Sequence, residues 1–252
     1  MARPALEALL EHVIDYAGLF PPASLPLNEA LENYGKYRAG SFGWMLGRFV
    51  VDERRIHQIP PELDAHLAVL AEHDHPRAAA IESRTIVKAS KPVYREVGIE
   101  QFDAVSETGC FAKVRTGGVT PDAIPDAETL TEFIHECARR RLPFKATAGL
   151  HHPIRSVQRL TDKPDSVRAL THGFVNVLLA AALAWRGADR LAVQCLLEEA
   201  DPAAFRIEND AQWHSECLRR EDIISARQNF MHSFGSCSFN DPVNDLKRLA
   251  WL

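Results

Sequence analysis

Short apolar runs alternate along the chain with segments of helical periodicity. The pattern predicts strands at residues 12–19, 45–51, 66–71, 93–97, 111–116, 144–148 and 174–179, while 79–87 fits either a strand or a helix. Helices are predicted over 28–39, 100–108 and 127–141, the last with Asp126 as its N-cap. The part after residue 179 is predicted to be mostly helical, with an irregular segment near 231–242.

This alternation of strands and helices is typical of an α/β protein with parallel strands. Seven to nine strand candidates in 252 residues favour a closed (β/α)8 barrel of the TIM-barrel type, formed by residues 1–252 as a single domain. An open, doubly wound sheet is the alternative. No GxGxxG follows a strand and no GxxxxGK[ST] occurs, so neither a dinucleotide site nor a P-loop is indicated.

Composition and charge narrow the function classes. With 46% hydrophobic and 25% charged residues, the chain can bury a substantial core, and its net charge of −5 offers no footprint for nucleic acid. Five cysteines without a CxxC spacing argue against a disulfide framework. No signal-peptide pattern is found, and the longest apolar stretch is too short to span a bilayer. We therefore expect a cytoplasmic protein without a membrane partner, and a homo-oligomer is compatible with the sequence.

Two lysines, each near the end of a predicted strand, are the strongest functional signal. Lys113 lies in CFAKVRTGG (110–118) and Lys145 in PFKATAGLHHP (143–153), with one amphipathic helix between them. Charged groups at the ends of buried parallel strands are costly unless they are paired or functional. If the strands are neighbours, both side chains point into one cavity, where a second cation favours the neutral, nucleophilic amine. The non-functional interpretation is that the two lysines face solvent or pair with carboxylates.

The two segments resemble the deoxyribose-phosphate aldolase branch of the class I aldolases over residues 110–150. AKVRTGG is similar to that family's K-T-x-T-G motif and FKATAGLHH to its K-A-S-G-G motif, at a similar separation. The resemblance implies a TIM barrel in which Lys113 forms a Schiff base and Lys145 tunes it. The chain departs from the family at Val114-Arg115, and no Gly-Thr-Ser loop follows the predicted last strand. KATAGLHHP and SFGSCSF also resemble segments of bacterial proteins with no known activity.

Further candidates accompany the lysines. Asp15, at the end of the first strand, is either a base or a turn-capping residue, and Glu96 is a proton-transfer candidate or an ion-pair partner of Arg115. Arg48 and Arg115 are expected to bind an anionic group, or Arg48 to pair with Glu82 or Glu96. Gly117 and Gly118 are expected to offer backbone amides to an anion.

Two remaining sets of residues leave alternatives open. Asn176 is either a ligand contact or a satisfied core amide, and Ser236, in SFGSCSF (233–239), lines a pocket or belongs to a loop that plugs the barrel with Phe234 and Phe239. Cys237 is taken as a buried thiol rather than a nucleophile. His151 could act as a general acid or base. Rim histidines could instead hold a divalent ion such as zinc: His73, His75, His151 and His152.

The leading hypothesis is an enzyme that needs no cofactor and acts on a small carbonyl or anionic compound by aldolase or lyase chemistry. Lys113 or Lys145 is the nucleophile, and Glu96, Asp15 or His151 moves protons. The alternatives are a metal-dependent hydrolase or isomerase and a non-catalytic binding barrel.

Overall fold

The computed structural model describes residues 3–161 and 163–252. Within these residues the strands are β1 Ile14–Tyr16, β2 Leu46–Asp52, β3 Leu67–Leu70, β4 Ala80–Ser83, β5 Val93–Glu96, β6 Phe111–Arg115, β7 Phe144–Thr147, β8 Ser156–Arg159, β9 Arg168–Thr171, β10 Phe205–Ile207, β11 Ala211–Trp213, β12 Glu216–Leu218 and β13 Met231–Ser236. The α-helices are α1 Pro4–Leu10, α2 Leu27–Ala39, α3 Phe102–Thr108, α4 Ala127–Arg139, α5 Phe174–Trp185, α6 Arg190–Glu198, α7 Arg220–Asn229 and α8 Asn240–Arg248.

Eight strands close into a barrel in which all neighbours are parallel. Their order around the barrel is β1, β13, β7, β6, β5, β4, β3 and β2, which pairs again with β1. The predicted TIM-barrel-like α/β fold is therefore confirmed. From residue 45 to residue 148, every strand except β4 was predicted within two residues of its bounds, and the ambiguous segment 79–87 contains β4.

The helices lie outside the barrel and share one hydrophobic core with it. In α4, the Asp126 carboxylate accepts a hydrogen bond from the Thr129 amide at 2.7 Å, so the predicted N-cap is confirmed. In the described residues between β2 and β5, no α-helix joins consecutive strands. Two short 3₁₀ helices, Glu53–Gln58 and Pro61–His66, join β2 to β3, and loops 71–79 and 84–92 join β3 to β4 and β4 to β5.

The predicted strand at 174–179 is wrong, because these residues begin the helix α5. Eleven of its twelve residues, all except Trp185, are buried, and it packs against α4, α6 and α7 as well as β13. A helix that is covered on all sides is apolar all round, so its sequence resembles that of a buried parallel strand. The last barrel strand is β13, in the segment that was predicted to be irregular.

The chain after β7 also holds two small antiparallel sheets that the sequence did not indicate. The hairpin β8–β9 stands between β7 and α5, and β10, β11 and β12 form a three-stranded sheet before α7. The C-terminal part is thus helical with added strands. In the described residues, no helix is long and apolar enough to cross a membrane.

Candidate active site

A cavity of about 1110 Å³ opens at the carboxyl ends of the barrel strands. Glu82 of β4, Glu96 of β5, Lys113 of β6 and Thr147 of β7 contribute to its wall. This is the end of a TIM barrel at which the loops after the strands build active sites.

The inner part of the site is an ion-paired network centred on Lys145. Its Nζ lies 2.5 Å from Asp15 Oδ2 and 2.7 Å from Glu82 Oε1. Asp15 also accepts hydrogen bonds from Ser233 Oγ at 2.7 Å and from the amide of Arg48 at 2.8 Å. A buried charge with this many partners is held in one position.

The outer part of the network, nearer the cavity, also alternates cations with carboxylates. Lys113 Nζ lies 3.1 Å from Glu82 Oε2 and 3.3 Å from Glu96 Oε2. Arg115 Nε lies 3.6 Å from Glu96 Oε1, so the expected pairing of these two residues is present. Together with Lys145 and Asp15, the network holds three cations and three carboxylates, whose formal charges cancel.

Strand register explains why the two lysines meet. Lys113 and Lys145 are direct partners in the parallel pairing of β6 with β7. Side chains that are paired in this way point to the same face of a sheet. Because both point into the barrel, the carboxylate of Glu82, on β4, reaches both amines.

Burial and charge act in opposite directions on the pKa values of this network. Burial alone would lower the pKa of Lys145, but the carboxylates of Asp15 and Glu82 raise it above its ordinary value. Burial would raise the pKa of Glu82, but Lys145 and Lys113 lower it to about 2. Lys145 is therefore a permanent cation, and Glu82 a permanent anion, near neutral pH.

The two lysines differ in access. Lys113 is 6% exposed and lines the cavity, whereas Lys145 is 1% exposed and lies behind the lining. A molecule in the cavity can therefore reach the amine of Lys113 but not that of Lys145.

The rim carries His151 and the arginines that face the cavity. His151 and His152 both line it, after β7. Arg115 is half-exposed there, and Arg159 and Arg168 project from the hairpin β8–β9, which no sequence pattern had connected with the site. Gly118 also belongs to the lining.

Arg48 and Gly117 lie elsewhere than expected. The charge of Arg48 acts on Tyr94 and His232, near the amino ends of β5 and β13, and in the described residues its side chain pairs with neither Glu82 nor Glu96. Gly117 packs against Gly149: a Cβ on Gly117 would lie 2.7 Å from the Gly149 Cα. Its small size thus allows the loops after β6 and β7 to touch.

Asn176 was predicted to be either a ligand contact or a core amide with satisfied hydrogen bonds, and the structure shows the core amide. It donates to the carbonyls of Leu196 and Glu199, both at 2.9 Å, and accepts from the Arg155 amide at 3.0 Å. Because it lies on α5 rather than on a barrel strand, it does not face the cavity. These contacts tie α5 to α6 and to the loop before β8.

The segment 233–239 forms a strand end rather than a plug. Phe234 faces outward and stacks on Phe174, and Phe239 packs against Tyr37. Ser236 Oγ donates to the Ser238 carbonyl at 2.7 Å, while Gly235, Cys237 and Ser238 line the cavity. The position expected for a Gly-Thr-Ser-like loop was after residues 174–179, the predicted last strand, which is in fact the start of α5. The true last strand, β13, ends in Gly235-Ser236, and the chain continues into a loop with Cys237-Ser238.

The histidines of the metal hypothesis fall into two groups. His73 and His75 follow β3, where His73 Nδ1 lies 3.4 Å from Glu53 Oε2, whereas His151 and His152 follow β7. Four strand positions separate β3 from β7 around the barrel. Over residues 3–161 and 163–252, no group of three or more histidine, cysteine, aspartate or glutamate side chains has the arrangement of a metal site.

Glu82 is the central residue that the sequence analysis underrated, since it was named only as a partner for Arg48. The available signal was a carboxylate inside the apolar segment AIES (80–83), the same kind of signal that identified both lysines. Ser233 carried no comparable signal.

Comparison of the chain with protein-family models, curated proteins and solved structures found no match in any of the three. The aldolase resemblance therefore depends on the two lysine motifs alone.

Proposed function

We propose that the protein is a lyase of the class I aldolase type that acts on a small carbonyl compound through a Schiff base on Lys113. The observation that carries this proposal is the position of Lys113 Nζ at the cavity wall, between two carboxylates and beside a buried second lysine.

In the proposed reaction, the amine of Lys113 attacks the carbonyl carbon, and loss of water leaves a protonated imine. The imine accepts the electron pair of the carbon–carbon bond that breaks. Glu96, 3.3 Å from Lys113 Nζ and open to the cavity, takes a proton from the ammonium group and returns it to the hydroxyl that leaves as water. The carboxylate, free again, then takes the proton of the substrate hydroxyl as the carbon–carbon bond breaks and gives it to the enamine carbon.

Lys145 supplies the fixed charge that this chemistry needs. It shares the carboxylate of Glu82 with Lys113, so Glu82 does not act as the counter-ion of Lys113 alone. Asp15 holds Lys145 in place and, being buried behind it, does not exchange protons with the substrate.

An anionic group on the substrate is supported by four arginines at the cavity, one of which, Arg84, directly follows β4. Arg115 is the one that was expected, and Arg159 and Arg168 add cationic groups from the hairpin. Guanidinium groups form bidentate hydrogen bonds with carboxylates and phosphates.

Borohydride trapping tests the proposal. The protein is incubated with small aldehydes, keto acids or sugar phosphates, reduced, and examined by intact mass and peptide mapping. We expect one adduct, on Lys113, that is absent in Lys113→Arg and kept in Lys91→Met, which replaces a partly buried lysine paired with Asp74.

An adduct on Lys145 would refute the assignment of the nucleophile. Saturable binding without any adduct would instead favour the non-catalytic barrel, and a stoichiometric divalent ion in the same sample would favour the metal-dependent reaction.

A further inference from the structure

A cysteine, a histidine and an aspartate meet at the cavity wall, in the order in which a nucleophile, its base and an orienting carboxylate are arranged. Cys237 Sγ lies 3.7 Å from His151 Nε2, and Asp241 Oδ2 lies 3.4 Å from His151 Nδ1. The two contacts use opposite ring nitrogens, as in a nucleophile–base–acid triad. All three residues line the cavity.

The topology of the barrel makes this cluster. Cys237 directly follows β13, and His151 lies in the loop after β7. These strands are neighbours, with Gly235 paired to Thr147. Asp241 lies in the first turn of α8, four residues beyond Cys237. The loop before His151 turns through Ala148 (φ 63°) and Gly149 (φ 80°), two left-handed residues that place the imidazole over the end of β13.

The contacts within the cluster favour a protonated His151 paired with the ionised carboxylate of Asp241. Burial would lower the pKa of His151, but hydrogen bonds to Asp241 and Cys237 raise it to about 10. Hydrogen bonding to His151 in turn lowers the pKa of Asp241. An imidazolium beside a cysteine stabilises the thiolate, which is the nucleophilic form.

Of the other titratable groups around the cluster, the tyrosines stay uncharged near neutral pH, and His152 pairs with a different residue. Tyr16 of β1 and Tyr37 of α2 face it, and burial raises the pKa of Tyr16 to about 12 and that of Tyr37 above its ordinary value. The imidazole of His152 pairs with Asp245 at 2.5 Å, away from the thiol.

We propose that Cys237, His151 and Asp241 form a second reactive centre in the cavity, where the thiolate of Cys237 adds reversibly to an aldehyde. The carbon–sulfur bond forms, the π electrons of the carbonyl move to its oxygen, and His151 Nε2 donates a proton to that oxygen. The product is a hemithioacetal, which needs neither an oxidant nor a leaving group. Reversal returns the proton to His151.

The choice of an aldehyde rests on the proposed function, because an aldolase-type lyase releases or takes up a carbonyl compound in this same cavity. The reactive thiolate itself depends only on the cluster. Its consequence is a reversible holding site for the aldehyde at the cavity wall, just beyond β13, which lies two strand positions from β6, the strand of Lys113.

Alkylation by iodoacetamide, mapped by peptide mass spectrometry between pH 6 and 8, tests the thiolate. Cys195 and Cys217 are exposed and serve as references in the same sample. An ordinary thiol with a pKa of about 8.5 should react about 75-fold faster at pH 8 than at pH 6. We expect the rate at Cys237 to rise less steeply over this range than the rates at Cys195 and Cys217, because the imidazole of His151 lies 3.7 Å from its sulfur.

His151→Asn should slow the reaction of Cys237 at pH 6 by at least about tenfold, since the imidazolium is lost. The matched control His214→Asn, which removes a surface histidine paired with Glu199, should leave it unchanged. A rate at Cys237 that rises with pH as steeply as that at Cys195, or no labelling of Cys237 at any pH, would overturn the proposal.

Acetaldehyde protection tests the addition step in Lys113→Arg, where no Schiff base can form; Lys113→Met replaces it if that variant does not fold. We expect acetaldehyde to slow alkylation of Cys237 severalfold, reversibly on desalting, without slowing Cys195. Equal rates with and without acetaldehyde would overturn the addition. Protection of Cys237 combined with failure of borohydride trapping in the wild type would refute only the lyase.

Discussion

Replacing Lys145 by methionine tests how the buried network is held together. The change removes the cation between Asp15 and Glu82 and leaves both carboxylates in the barrel interior. Lys145 and Lys113 lower the pKa of Glu82 from 4.5 to about 2, which corresponds to about 3 kcal/mol. Removal of one partner from a buried pair typically costs about 3 to 5 kcal/mol. We therefore expect Lys145→Met to lower the free energy of unfolding by that amount at pH 7.

The assay is urea-induced unfolding followed by far-UV circular dichroism. The control Lys91→Met breaks a more exposed pair with Asp74 and should cost less than about 1 kcal/mol. A double-mutant cycle of Lys145→Met with Asp15→Asn should show a coupling of about 1 to 3 kcal/mol, since the atoms are in contact. The reasoning is refuted if Lys145→Met and Lys91→Met are equally mild, or if the cycle is additive.

Two further outcomes follow from single residues. In the wild type, the stability that comes from ionised Glu82 is present above its unfolded pKa of about 4.5 and is lost as the pH falls towards its folded value of about 2. Glu82→Gln should therefore flatten the dependence of stability on pH in this window, and equal slopes in acid titrations of both proteins would contradict the assignment. Asn176→Ala should cost about 1 to 3 kcal/mol in urea unfolding, because buried backbone groups of α6 lose their partner. It should leave trapping at Lys113 intact in the folded protein, and lost trapping with unchanged stability would return Asn176 to the site.

The comparison of prediction with structure shows which signals are local. The pairing of Lys113 with Lys145 was predictable because two short strands flank one amphipathic helix, and such a unit places its strands in parallel. The strand at 174–179 was wrong for an equally local reason: the sequence shows that α5 is buried but not whether its neighbours are helices or strands.

The sequence by itself determined the alternation of strands and helices, the α/β class, and the position of both lysines near strand ends. These features depend on side-chain periodicity within a few residues. Only the tertiary structure decided which groups meet: Asp15 reaches Lys145 across 130 positions, Glu82 reaches it across 63, and His151 reaches Cys237 across 86. Such contacts depend on the closure and stagger of the barrel, which place strand ends side by side regardless of their distance along the chain.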